Sequence, residues 1–121
     1  TDAYATIKIT SKTQSFIHLL LNMTKNEKEA QLIFEKINKV AQANIGNGLK
    51  LNLIGKLPAD KVVSTSIKQR TLFTNDAPNS LASIDMKRIV NNLVYKMERK
   101  VLKTDTSKSF GSFFKRIIEQ F

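Results

Sequence analysis

The 121-residue sequence contains no cysteine, which excludes disulfides, thiolate metal sites and cysteine nucleophiles and points to a reducing compartment. It has a single histidine, His18, set among apolar neighbours. No metal cluster can be assembled around it, and it reads as a hydrogen-bonded core residue. Serines and threonines recur at 64–66 and 104–112, but none has a histidine or a carboxylate pair at a spacing that would activate it, so they read as capping and linker residues. No run of 18 apolar residues occurs, so no membrane span is predicted, and the opening residues do not read as a signal peptide. Acidic residues are scarce: 10 Asp and Glu against 20 Lys and Arg leave a formal net charge of +10. That balance favours anionic partners such as nucleic acid, nucleotide phosphates or an acidic lipid surface. An apolar content of 41% suffices for one domain with a modest core.

What is present reads as an α/β chain. Residues 1–8 predict a helix capped by Thr1 or Asp2, with Tyr4 and Ile7 on one face. A chain that opens on a helix already under way suggests a fragment. Phe16-Ile17-His18-Leu19-Leu20-Leu21 is a short apolar run without alternation, as in a strand buried on both faces, and it ends at Asn22. From Glu27 to about Ala43, Ala30, Ile33, Phe34, Ile37, Val40 and Ala41 recur at helical spacing. Glu27 and Glu29 suit the positive end of that helix, and Gly46 and Gly48 suit its termination. Leu49 to Ile54 alternates as a second strand. Strand, helix and strand in this order predict a right-handed crossover and a parallel pair, and ligands of such sheets sit beyond the carboxyl ends of the strands. Asp60 can cap a short helix to about Gln69, residues 71–79 read as loop, and a long helix starts near Ser80 with Leu81, Ile84, Ile89, Leu93, Val94 and Met97 on its apolar stripe.

Residues 103–109 hold no large apolar side chain and read as a linker. After them, Phe110, Phe113, Phe114, Ile117, Ile118 and Phe121 fall within one sector of roughly 140° at about 100° per residue. Ser112, Lys115, Arg116 and Glu119 fill the other side. Four of the seven phenylalanines lie here, on a basic amphipathic helix that suits either docking on the domain's own core or lying on a membrane surface.

Several of these pieces stand in a familiar order: the opening Thr1-Asp2-Ala3-Tyr4-Ala5-Thr6-Ile7-Lys8, a strand ending in Asn22, a strand running into Leu57-Pro58-Ala59-Asp60, Lys68-Gln69-Arg70, Ala77-Pro78-Asn79-Ser80, and a terminal amphipathic helix. That order resembles the C-terminal part of MinD/ParA-type P-loop ATPases, and within them the flagellar-number regulators FlhG, FleN and YlxH. The resemblance covers essentially the whole chain but only about the second half of such a protein. No Gly-Lys-Thr phosphate loop is present, and Gly55-Lys56 is followed by Leu57. The phosphate loop, magnesium-binding carboxylate and switch segments of the family would lie before Thr1.

The resemblance implies the C-terminal part of a mostly parallel sheet with flanking helices over 1–102, a linker at 103–109 and a membrane-targeting helix at 110–121. It implies that Asn22 reads the adenine edge, which suits an amide offering both a donor and an acceptor, and that Pro58, Ala59 and Asp60 line the base. Asp60 is equally suited to the simpler role of helix cap. The membrane side chains would be Phe110, Phe113, Phe114, Lys115, Arg116, Ile117, Ile118 and Phe121. ATP with magnesium would be the ligand of the full-length protein, with none held tightly by this chain and no ATP hydrolysis by it alone. The implied partners are the missing N-terminal ATPase half, an anionic membrane surface, a second copy in the ATP state and a flagellar GTPase, in a cytoplasmic, peripherally membrane-associated protein. The net charge leaves one alternative open, a basic nucleic-acid-binding α/β module, although no helix-turn-helix, zinc pattern or aromatic platform accompanies it.

Overall fold

The computed structural model describes residues 2–46, 48–102 and 115–119. They fall into two compact units, one within residues 1–59 and one within residues 60–121.

The first unit comprises α1 (Asp2–Thr10), β1 (Phe16–Thr24), α2 (Glu27–Asn44) and β2 (Lys50–Pro58). The strands pair in parallel, Phe16 opposite Lys50 and Leu19 opposite Leu53, as the strand–helix–strand order predicts. Local chemistry sets the bounds of α2. Asn26 sits in extended backbone and its side chain accepts from the Glu29 N–H at 2.9 Å, while the Glu29 carboxylate accepts from the Lys25 N–H at 2.6 Å. Asn26 thus satisfies a donor that the first turn leaves without a partner, and Glu29 reaches back to hold the residue before the cap. At the other end the Ile45 N–H donates to the Ala41 carbonyl and Gly46 turns the chain away at φ 81°, a conformation that only glycine adopts without strain.

Ile7 of α1 and Ala41 of α2 bury together with Leu49, and Ile17, Leu19, Ile37, Ile45 and Leu51 pack around them. Both helices therefore cover the face of the sheet that carries Ile17 and Leu19. On the opposite face, which carries His18, the side chains of Phe16 and Leu20 are exposed. This corrects the expectation of a strand buried on both faces. Apolar residues occupy both sides of β1, but the helices of this unit lie on only one. On the other side His18 Nδ1 lies 3.0 Å from Asn52 Nδ2 and the Phe16 ring meets the imidazole edge-on at 4.8 Å. His18 is hydrogen-bonded as expected, by a cross-strand partner rather than in a closed core.

The second unit comprises α3 (Lys61–Gln69), α4 (Phe73–Asp76) and α5 (Leu81–Leu102), and residues 115–119 are helical. The single turn α4 falls where the sequence reads as loop. It docks on the start of α5 through Ser83, which is fully buried and donates its hydroxyl to the Phe73 carbonyl at 3.3 Å. Ser80 caps α5, accepting from the Ser83 N–H and donating to the Ser83 hydroxyl at 2.9 Å. The expected apolar stripe of α5 holds at Ile89 and Val94 and fails at Leu81, Ile84 and Met97. Ala82, Ser83, Ile89 and Val94 are buried, whereas Leu81 is 70% exposed and Ile84 and Met97 are exposed too. A small side chain next to the buried hydroxyl admits close approach, and a leucine there would not. None of the described helices is long and apolar enough to cross a membrane.

α3 ends on Arg70 at φ 57°, with the Thr71 N–H donating to the Ser66 carbonyl at 3.0 Å. Glycine is the residue that such a left-handed cap ordinarily carries. Arg70→Gly is expected to raise stability by about 1 kcal/mol, since a side chain in that conformation costs about 1–2 kcal/mol against the entropy that glycine loses. A urea titration checks this, and a lower midpoint would mean that the Arg70 side chain holds something in place.

Candidate functional site

Two strands that run in parallel bring their carboxyl ends to the same end of the sheet, where open α/β sheets bind ligands. Here the ends are Asn22-Met23-Thr24 of β1 and Leu57-Pro58 of β2, with Thr24 opposite Pro58 in the ladder. The buried Thr24 hydroxyl donates to the Leu57 carbonyl at 3.3 Å and ties the two ends together.

The pairing reaches this point through two irregularities. Leu19 pairs with Leu53 but Leu20 pairs with Gly55, so β2 carries one extra residue at Ile54. Leu21 then pairs with Lys56 and Thr24 with Pro58, so β1 carries one extra residue at Asn22-Met23. The second bulge restores the offset that the first introduced. Met23 adopts φ 60°, and the alternation of burial breaks there: Asn22 and Met23 are both exposed, followed by buried Thr24. A β-bulge re-aims the side chains around it and commonly lies next to a functional site.

Of the residues expected to meet a base, Asn22, Pro58 and Ala59 thus share one end of the sheet. Asn22 and Ala59 are exposed and Pro58 is half-buried, and the Asn22 side-chain amide makes no hydrogen bond among the described residues. Asp60, next in the chain, is engaged elsewhere. Its Oδ1 accepts from the Val62 N–H at 3.0 Å, capping α3, and its Oδ2 accepts from the Ala82 N–H at 3.3 Å, in the first turn of α5. One carboxylate therefore serves the N-termini of two helices, where negative charge is favoured. Sequence reasoning anticipated the first contact and missed the second, because nothing local to Asp60 points to a residue so far along the chain. Met23 was also missed: methionine carries no signal for left-handed backbone.

Of the expected membrane side chains, Phe110, Phe113, Phe114 and Phe121 lie outside the described residues. Within helical 115–119, Lys115, Arg116 and Glu119 are exposed, Ile117 is half-buried and Ile118 is 38% exposed. Ile118 lines a cleft of 140 Å³ with Thr74 of α4 and Met86, Lys87, Val90 and Asn91 of α5. Among the described residues no group of three His, Asp or Glu side chains could hold a metal ion.

No protein-family model matches the sequence. The flagellum site-determining protein YlxH of Helicobacter pylori (strain ATCC 700392 / 26695) is 34% identical to it over 119 residues, which is 98% of this chain and 40% of the relative. The chain spans less than half the length of that relative and matches its C-terminal part. With the parallel pair, the flanking helices and this agreement along almost its whole length, the chain belongs to the MinD/ParA-type proteins as a homologue of the C-terminal part of YlxH.

Proposed function

We propose that this chain is the base-recognition and membrane-anchoring part of a nucleotide-switched regulator of flagellum placement. The observation that carries the first half is the junction at the carboxyl end of the parallel pair, where Asn22, with an unpartnered amide, and Pro58 and Ala59 are gathered by a bulge. An amide presents one donor edge and one acceptor edge, the pattern needed to read the amino group and adjacent ring nitrogen of adenine, and the proline ring and alanine methyl supply apolar surface beside it. The name of the H. pylori relative supports the regulatory role. Bound ATP would supply the phosphoryl group whose hydrolysis resets the switch, and residues of the longer protein outside this chain would hold the phosphates and magnesium.

The second half rests on the amphipathic pattern of 110–121. One such helix binds a membrane weakly, whereas two tethered in a nucleotide-dependent dimer bind far more tightly through effective concentration. Nucleotide state then becomes membrane residence.

Asn22→Ala in the full-length protein tests the base site. The lost hydrogen bonds are expected to weaken ATP binding by about 1–2 kcal/mol, roughly 5- to 30-fold, and to relax discrimination against GTP. Thermal stability without nucleotide should change little. Unchanged affinity and selectivity in a folded variant would reduce Asn22 to a loop residue.

A further inference from the structure

We infer that Met23 is a second base-contacting residue, an apolar platform against which the purine ring lies while Asn22 reads its edge. The inference rests on the base-site reading above and assigns to that site a residue chosen on backbone geometry. Met23 stands at φ 60°, and apart from Arg70 it is the residue other than glycine with positive φ among those described. Left-handed backbone is unfavourable for a methionine and well tolerated by asparagine. The chain nevertheless gives the strained position to Met23 and an ordinary one to the neighbouring Asn22. Strain of this kind persists where surrounding structure imposes it, and it concentrates at ligand sites.

The strain is not offset by packing within the unit. Met23 is 73% exposed, so its thioether and methyl gain little from burial, although it follows a strand of apolar residues and precedes the buried Thr24. The bulge also presents Asn22 and Met23 as consecutive exposed residues, where an unbroken strand would send them to opposite faces. A methionine sulfur makes favourable contact with aromatic rings and its unbranched chain adapts to their outline. A purine held at its edge by Asn22 needs a surface of that kind. Because the contact is to the ring rather than to its exocyclic groups, it acts on adenine and guanine alike.

The test uses the full-length protein with ATP and GTP as probes, comparing wild type, Met23→Gly, Met23→Leu and Asn22→Ala. Met23→Gly removes the platform and relieves the backbone. It is expected to lower affinity for both nucleotides by a similar factor of about 2 to 12, the range of one sulfur–ring contact, with the nucleotide-free melting temperature unchanged or raised. Met23→Leu should recover most of the affinity. Unchanged affinity in Met23→Gly, or a lower nucleotide-free melting temperature with affinity falling only as folded protein is lost, overturns the inference. Asn22→Ala separates the two claims. If it relaxes selectivity while Met23→Gly has no effect, the base site stands and the platform falls; if neither variant changes binding, both fall.

Discussion

Vesicles containing anionic phospholipid are expected to pull down a small fraction of this chain, less at high salt, and none of the Phe114→Glu variant. On a helical projection at about 100° per residue Phe114 falls inside the apolar sector of 110–121, with Phe121, Phe110, Ile117 and Phe113 on one side of it and Ile118 on the other. A large apolar side chain gains roughly 1.5–3 kcal/mol if fully buried, but a helix lying in the lipid interface buries its residues only in part and must first be ordered from coil. The wild-type helix is therefore expected to bind marginally, and a carboxylate placed within its apolar face should remove more than it can spare. Exposed Lys115 and Arg116 account for the salt dependence, because attraction to anionic lipid is screened. Ile118 lines the cleft with residues of α4 and α5, and leaving it for lipid is expected to weaken single-copy binding further. Equal pelleting of wild type and Phe114→Glu would remove the anchor from the proposal.

Asp60→Ala is expected to cost about 2 kcal/mol of stability, more than an ordinary helix cap, for which about 1 kcal/mol is typical. The excess comes from the second contact. Removing the carboxylate leaves the Val62 N–H and the Ala82 N–H without their acceptor, and takes negative charge from two helix N-termini at once. Asp60→Asn should lose about half as much, since its one amide oxygen can keep the Val62 bond but its NH₂ group offers the Ala82 N–H no acceptor. Urea unfolding of the three proteins measures this. A loss in Asp60→Ala no larger than a single cap would mean that the 3.3 Å bond to Ala82 contributes nothing.

The features that could be read from the sequence are those written within a few residues of one another. Asn26 and Glu29 mark the start of α2, Asp60 the start of α3, and Gly46 the turn after α2; each acts on backbone groups beside it. The parallel pairing followed from element order alone. Features decided at a distance could not be read. Ser83 is a middling helix residue until the Phe73 carbonyl arrives above it, and in the same turn Ala82 is buried while Leu81 is exposed. The candidate site divides in the same way. Strand ends and resemblance nominate Asn22, Pro58 and Ala59 as candidates, whereas Met23 is set apart by a dihedral angle that no neighbour in the sequence specifies.

The paired bulges constrain how this segment can vary. An extra residue at Ile54 of β2 is cancelled further along by one at Asn22-Met23 of β1, so the ladder beyond them keeps its alignment only while both are present. Loss of one residue from either strand would slip the remaining pairs by a step and turn their side chains to the opposite face, pulling Thr24 away from Leu57. Loss of one residue from each strand would leave a regular ladder with the same end pairing. Single deletions here should therefore be eliminated in a selection for folding while the matched double deletion survives it. Such a survivor would have a straight β1 with nothing to turn Asn22 and Met23 outward together.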